Sequence, residues 1–125
     1  EIEGIPKTIK KEAFPPCITT LYEAAQKGRH LPHIARFTLT TFLVNIGLPI
    51  ENIIDLFRNS SDFNERLTRY QVEHIAGERG SRIRYKPPKC QMLKTHGLCL
   101  KPSEECQKIN HPLGYYKMKL KKGRD

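Results

Sequence analysis

The sequence has no tryptophan, and only 38% of its 125 residues are apolar and 8% aromatic. Its core must therefore be modest, and any bond joining distant segments carries unusual weight in its stability. Long hydrophobic runs are missing too: each is broken by Asn, Gly, Asp or Arg, which excludes a bilayer-spanning helix. There is no Walker-type phosphate loop and no internal repeat. Paired carboxylates suited to two-metal nucleotidyl transfer are absent; Asp55 stands apart and Glu104-Glu105 lies between two cysteines. No Ser-His-Asp constellation is present, so the chain by itself reads as non-catalytic. It opens at Glu1 without a Met or a signal-peptide pattern, as expected of a piece from a longer protein. Nor does any cysteine pair show the two-to-four-residue spacing of a zinc knuckle.

What the chain does have is four cysteines. Three fall in KCQMLKTHGLCLKPSEEC, with eight residues between Cys90 and Cys99 and six between Cys99 and Cys106. Cys17 is separated from Cys90 by 72 residues, so a shared site would tie the start of the domain to its end. Iron–sulfur clusters take four thiolates and, being wider than one ion, collect them from separate elements. A cluster is the first reading, zinc the second and disulfides the third; metal is favoured over disulfides in a non-secreted chain, hyperthermophile proteins excepted.

Charge is just as uneven. Residues 1–77 carry nine Lys/Arg and nine Asp/Glu, whereas residues 78–125 carry thirteen Lys/Arg against four acidic residues. The whole net charge of +9 therefore sits in the cysteine-rich half. Such asymmetry points to a polyanionic partner, nucleic acid being the commonest.

Periodicity predicts a largely helical chain. Residues 1–13 read as a linker or strap. A helix is expected from Phe14-Pro15-Pro16 to Gly28, with Cys17 in its first turn, where dipole and free N–H groups favour a thiolate. A second runs from Leu31 to Ile46 on the stripe Leu31, Ala35, Leu39, Phe42 and Ile46, leaving His33, Arg36 and Thr40 on its polar face. His33 and Arg36, one turn apart near a helix start, form a candidate phosphate seat. A third helix follows Leu48-Pro49. A fourth is expected to open with an Asp62–Glu65 capping box and to end near Gly77, placing Tyr70 and His74 on one side. Residues 77–89, GERGSRIRYKPPK, read as an exposed loop in which Arg79, Arg82, Arg84, Lys86 and Tyr85 suit a nucleic-acid backbone. Pro87-Pro88 opens a short helix carrying Cys90, and Ser103-Glu104-Glu105 a single turn delivering Cys106. Beyond His111-Pro112, Tyr116, Met118 and Leu120 alternate with lysines, the pattern of an edge strand in a basic tail over residues 113–125.

Several of these stretches resemble a known family. FPPC at 14–17, LPHIARFTLTTFLVNIGL at 31–48, YQVEHIAGERGSRIRYKPPKC at 70–90, then Cys99, Cys106 and His111-Pro112 are similar, in order, to the C-terminal domain of the archaeal and eukaryotic DNA primase large subunit. The compact spacing from Cys90 to Cys106 looks archaeal. The resemblance implies a mainly α, compact helical domain over residues 14–112, organised around one 4Fe–4S cluster on Cys17, Cys90, Cys99 and Cys106, with little or no β-structure. It implies a non-catalytic, regulatory role in primer initiation, the polymerase active site lying on the small subunit. Implied partners are the DNA template, the RNA primer, the initiating nucleotide triphosphate and the catalytic small primase subunit, with no membrane. The implied location is the archaeal cytoplasm, or the nucleus for the eukaryotic form. His33, Arg36, Tyr70 and His74 match the family's ligand-contacting surface, to which the basic loop Arg79, Arg82, Arg84 and Lys86 is added here. Leu39 and Thr68 stand where the eukaryotic pattern has further tyrosines, so of a tyrosine relay only Tyr70 remains.

Overall fold

The computed structural model describes residues 9–100 and 102–123. Its α-helices are α1 (Pro16–Gln26), α2 (His33–Asn45), α3 (Ile50–Phe57), α4 (Glu65–Ile75), α5 (Cys90–Thr95) and α6 (Pro112–Gly123). Two 3-10 turns, Lys11–Ala13 and Glu104–Lys108, complete the elements, and no strand occurs among the described residues. The domain is mainly α, as the periodicity predicts.

Proline sets the helix starts. Pro15, Pro32 and Pro49 occupy the N-cap positions of α1, α2 and α3, with φ of −60°, −57° and −59°. Each keeps the preceding residue out of the helical region, and so α2 begins at His33 rather than at Leu31. The fourth helix corrects the expected capping box. Asn64 is the cap, its Oδ1 accepting from the Leu67 N–H at 3.0 Å, while Asp62 accepts from the Ser60 hydroxyl before the helix begins. Asn supplies the same kind of acceptor nearer the helix.

The centre is α2. Seven consecutive residues, Thr38–Val44, are buried, two full turns covered on every side, as only a helix surrounded by others can be. Thr40 is thus 2% exposed, not on a solvated face. Thr38 and Thr41 turn their hydroxyls back to the Ile34 and Phe37 carbonyls at 2.8 and 2.7 Å, which lets polar residues sit in the core. Phe14 packs edge-on against Tyr22 and Phe42, with centroids 5.7 and 5.4 Å away, and lies 6.0 Å from Tyr116. Outside, Arg69 bridges Glu51 and Glu65, and Arg58 bridges Asp55 and Glu65, lacing α3 to α4 at the surface. No helix among the described residues is long and apolar enough to cross a membrane.

The expected edge strand is instead α6. Its alternation competes with a second pattern, Leu113, Tyr116 and Leu120 at i, i+3, i+7, and tertiary burial decides for the latter. Tyr116 is 5% exposed and Leu113 and Leu120 pack on the core. Lys119 and Lys122, one turn apart, both reach Glu105, a convergence that helical spacing permits. Tyr116 also accepts from the Lys10 N–H at 3.1 Å, so residues 9–13, with Ile9 and Ala13 buried, close against this helix.

His111 starts α6. Its Nδ1 accepts from the Leu113 N–H at 3.1 Å, which leaves Nε2 to carry the proton and donate to the Pro87 carbonyl at 2.9 Å. Burial, then nearby lysines, pushes its pKa below 6.5, with the Pro87 bond opposing. A histidine whose folded pKa is depressed contributes stability above its unfolded value and loses it as pH falls through the folded one. Thermal melts from about pH 7.5 to about pH 5.5 are expected to show a steeper loss for the parent than for His111→Asn, whose amide does not protonate. Parallel curves would remove His111 as the titrating cap.

Candidate metal centre and nucleic-acid interface

All four cysteines line one cavity of about 360 Å³, together with Pro15, Pro16, Leu93 and Ile109. Four separate elements deliver them. Phe14 in the aromatic cluster fixes the start of α1, so Cys17, one turn on, faces inward. Cys90 opens α5, and its N–H donates to the Asn110 carbonyl at 2.9 Å. Gly97, at φ +73°, ends α5 and turns the chain so that Cys99 follows the Leu98 N–H to Leu93 carbonyl bond. Cys106 rides the Glu104–Lys108 turn, its Sγ 3.5 Å from the Ser103 hydroxyl. Glu105, beside it, is held by Lys119 and Lys122 of α6.

No disulfide joins any of the four. The helix-start effect expected for Cys17 acts in the expected direction but is outweighed by burial. Burial pushes that thiol up to about 12, the charges of Cys90, Cys99 and Cys106 add to the rise, and a backbone hydrogen bond at Ile18 opposes it only in part. Cys90 is also raised, first by burial and then by Cys106 and Cys99. Four thiols brought into one enclosed space ionise together only if a cationic centre takes up the charge. No group of three or more His, Cys, Asp or Glu among the described residues converges as one metal ion requires. Four cysteines lining one cavity are the donor set that an iron–sulfur group takes.

A second cleft, of about 250 Å³, opens between α2 and α4. His33, Arg36, Tyr70 and His74 all line it, although they come from helices far apart in sequence. Phe37, Thr40, Phe57, Thr68 and Tyr85 complete its walls. Arg36 stands 5.9 Å over the Phe57 ring, and its buried Nε has no hydrogen-bond partner. The buried Nδ1 of His74 is equally unpaired. Buried polar nitrogens left unmatched are costly, and here both belong to residues lining one cleft. Asp62 feels Arg36 and His30 as secondary influences after the Ser60 hydroxyl, which first lowers its pKa.

The loop after α4 supplies an aromatic ladder. Tyr70 and His74 lie nearly parallel, interplanar angle 20° at 6.3 Å; His74 meets Tyr85 at 5.7 Å, and Tyr85 meets Phe37 edge-on at 6.1 Å. Sequence reasoning placed Tyr85 in the loop but missed it as a wall residue. Its N–H donates to the Ile75 carbonyl at 3.0 Å, and its own carbonyl accepts from Asn45 at 2.8 Å, so α2 and α4 both hold it. Nothing in the local sequence signals those two long-range bonds. Arg79 reaches the cleft through Tyr70, lying 5.5 Å over its ring. Arg82, Arg84 and Lys86 are exposed along the same loop and do not line the cleft. Arg82 holds φ +60°, a left-handed conformation that costs a non-glycine residue about 1 kcal/mol or more.

The family model for the C-terminal domain of the eukaryotic and archaeal DNA primase large subunit matches residues 7–109. The chain belongs to that family. Among curated relatives named DNA primase large subunit PriL, it is 45% identical to that of Halobacterium salinarum over 118 residues, covering 94% of this chain and 32% of the relative. The Methanosarcina mazei protein is 46% identical over 112 residues, 90% of this chain and 30% of the relative. That of Methanopyrus kandleri is 49% identical over 104 residues, 83% and 25% respectively. The chain thus spans about a third or less of the length of these curated archaeal relatives. Within this primase domain, the family match takes in all four cysteines and every residue lining the α2–α4 cleft.

Proposed function

We propose that this domain binds the beginning of an RNA primer on its DNA template and does not itself carry the polymerase active site, which would lie on a small primase subunit joined through the rest of the large subunit. One 4Fe–4S cluster on Cys17, Cys90, Cys99 and Cys106 would supply a rigid inorganic tie between α1, α5 and the Glu104–Lys108 turn. The chain's own residues do the binding. Arg36 offers its guanidinium to phosphate, the primer's 5′ triphosphate or an initiating nucleotide being the most rewarding target because charge-assisted contacts are strong. His33 adds a second donor at the start of α2, and Tyr70 and His74 present ring faces to ribose or base. Arg82, Arg84 and Lys86 follow the backbone outside the cleft, and Arg79 offers its charge at the cleft edge, over Tyr70.

The observation that carries this reading is the pair of unmatched nitrogens, Arg36 Nε and His74 Nδ1, on residues lining a cleft with stacked rings on one wall. Fluorescence anisotropy with template–primer duplexes bearing either a 5′ triphosphate or a 5′ hydroxyl tests it. Arg36→Ala is expected to weaken the triphosphate duplex about 10- to 100-fold, the equivalent of one charge-assisted contact of about 1.5–3 kcal/mol, and the hydroxyl duplex much less. Equal affinity of variant and parent for both duplexes would take Arg36 out of the site.

A further inference from the structure

The sixth residue after Glu73 returns to it. Arg79 donates from Nε to the Glu73 carboxylate while its guanidinium lies 5.5 Å over the Tyr70 ring. Glu73 sits on α4 between Tyr70 and His74, and its side chain is 20% exposed against 51% for Arg79. The loop leaves Arg79 little choice of place. A Cβ on Gly77, at φ +83°, would stand 3.0 Å from the Arg84 nitrogen, so the loop doubles back on itself there. A Cβ on Gly80, at φ +63°, would stand 2.8 Å from His74 Cε1 and Nδ1, so the backbone next to Arg79 lies directly on the imidazole. The guanidinium therefore covers a ring face at the cleft, and a carboxylate already neutralises its charge.

We infer that Glu73 is a specificity-determining residue of this cleft, acting by holding Arg79 over Tyr70 against all but strongly anionic ligands. The inference rests on the reading of the cleft given above. A 5′ hydroxyl end lacks the charge to replace the carboxylate, so the Glu73–Arg79 pair persists and the guanidinium stays over one face of the Tyr70 ring. A 5′ triphosphate competes for the guanidinium, and one displacement then delivers a phosphate contact and a free ring face together. Removal of the carboxylate lets Arg79 engage any nearby phosphate, and discrimination between the two ends falls.

Binding of both duplexes is to be measured for the parent domain, Glu73→Gln, Arg79→Ala, the double variant and Arg36→Ala, across a salt series. Glu73→Gln is expected to tighten the hydroxyl duplex about 3- to 10-fold and to steepen its salt dependence by about 0.7–0.9, the signature of one more phosphate contact. In the Arg79→Ala background the same substitution is expected to do nothing, and Arg79→Ala alone to weaken only the triphosphate duplex. An equal gain with and without Arg79 would mean a general charge effect and would overturn the inference, as would no gain in either. If Arg36→Ala weakens binding while Glu73→Gln leaves it unchanged, only the role of Glu73 falls. If Arg36→Ala is also silent, the cleft itself is not the binding site.

Discussion

Replacing Cys17 by alanine is expected to leave the anaerobically purified domain colourless, with iron and acid-labile sulfide falling from about four per chain to near zero. Cys17 is the sole donor on α1, and the other three come from a stretch of chain only seventeen residues long. Without it α1 contributes no donor, and the proposed centre no longer ties α1 to the segment from α5 to the Glu104–Lys108 turn. Binding energy that exists only in the native state is folding energy, and structural metal sites reach about 10 kcal/mol or more. A small core with no tryptophan has little else to replace it, so the melting temperature is expected to fall by tens of degrees. Absorbance near about 400 nm separates an iron–sulfur centre, which is brown, from colourless zinc. A Cys17→Ala protein with full iron and sulfide would show that α1 does not anchor the centre.

Phe14→Ala is expected to cost about 3–5 kcal/mol, or roughly 10–20 °C in melting temperature. Phe14 is 4% exposed and touches Tyr22, Phe42 and Tyr116, so truncation opens a void among three rings that cannot all move inward. It also fixes the point from which α1, and with it Cys17, departs. Two measurements separate this variant from Cys17→Ala. Below its melting point Phe14→Ala is expected to keep the iron of the proposed cluster, because all four cysteines remain, whereas its urea midpoint falls. A loss under about 1 kcal/mol would mean that the ring cluster is not the core that positions α1.

The sequence made the helices legible wherever proline and hydrophobic spacing agreed. Pro15 and Pro49 announce α1 and α3, and the stripe through Leu39 and Phe42 announces α2. It failed where two signals competed. The Asp62–Glu65 spacing reads as a capping box, but Asn64, nearer the helix, is the cap; Tyr116, Met118 and Leu120 alternate like a strand, but Leu113, Tyr116 and Leu120 meet the core like a helix. Thr40 looked solvated because periodicity cannot show that a helix is enclosed on every side. At the site, residue types pointed to His33, Arg36, Tyr70 and His74, and the structure brings them to one cleft. That Arg79 is engaged by Glu73, and that Tyr85 is pinned by Asn45 and Ile75, are products of loop geometry that no local pattern encodes. The burial that raises the Cys17 thiol was likewise invisible, since a first-turn position by itself argues the opposite.

The sulfur-lined cavity also has an order of manufacture. Cys17 leaves the ribosome before the other three cysteines, yet its wall is complete only once Ile109 and Pro112 have emerged, and the lysines of α6 that steady Glu105 come later still. At about 5–20 residues per second, the nascent chain carries an unmatched thiol for several seconds at least before its counterparts exist. During that interval the oxidants and metals of the cell meet a cysteine with no enclosure. Closure by α6, which follows all four cysteines in the chain, is what ends the exposure.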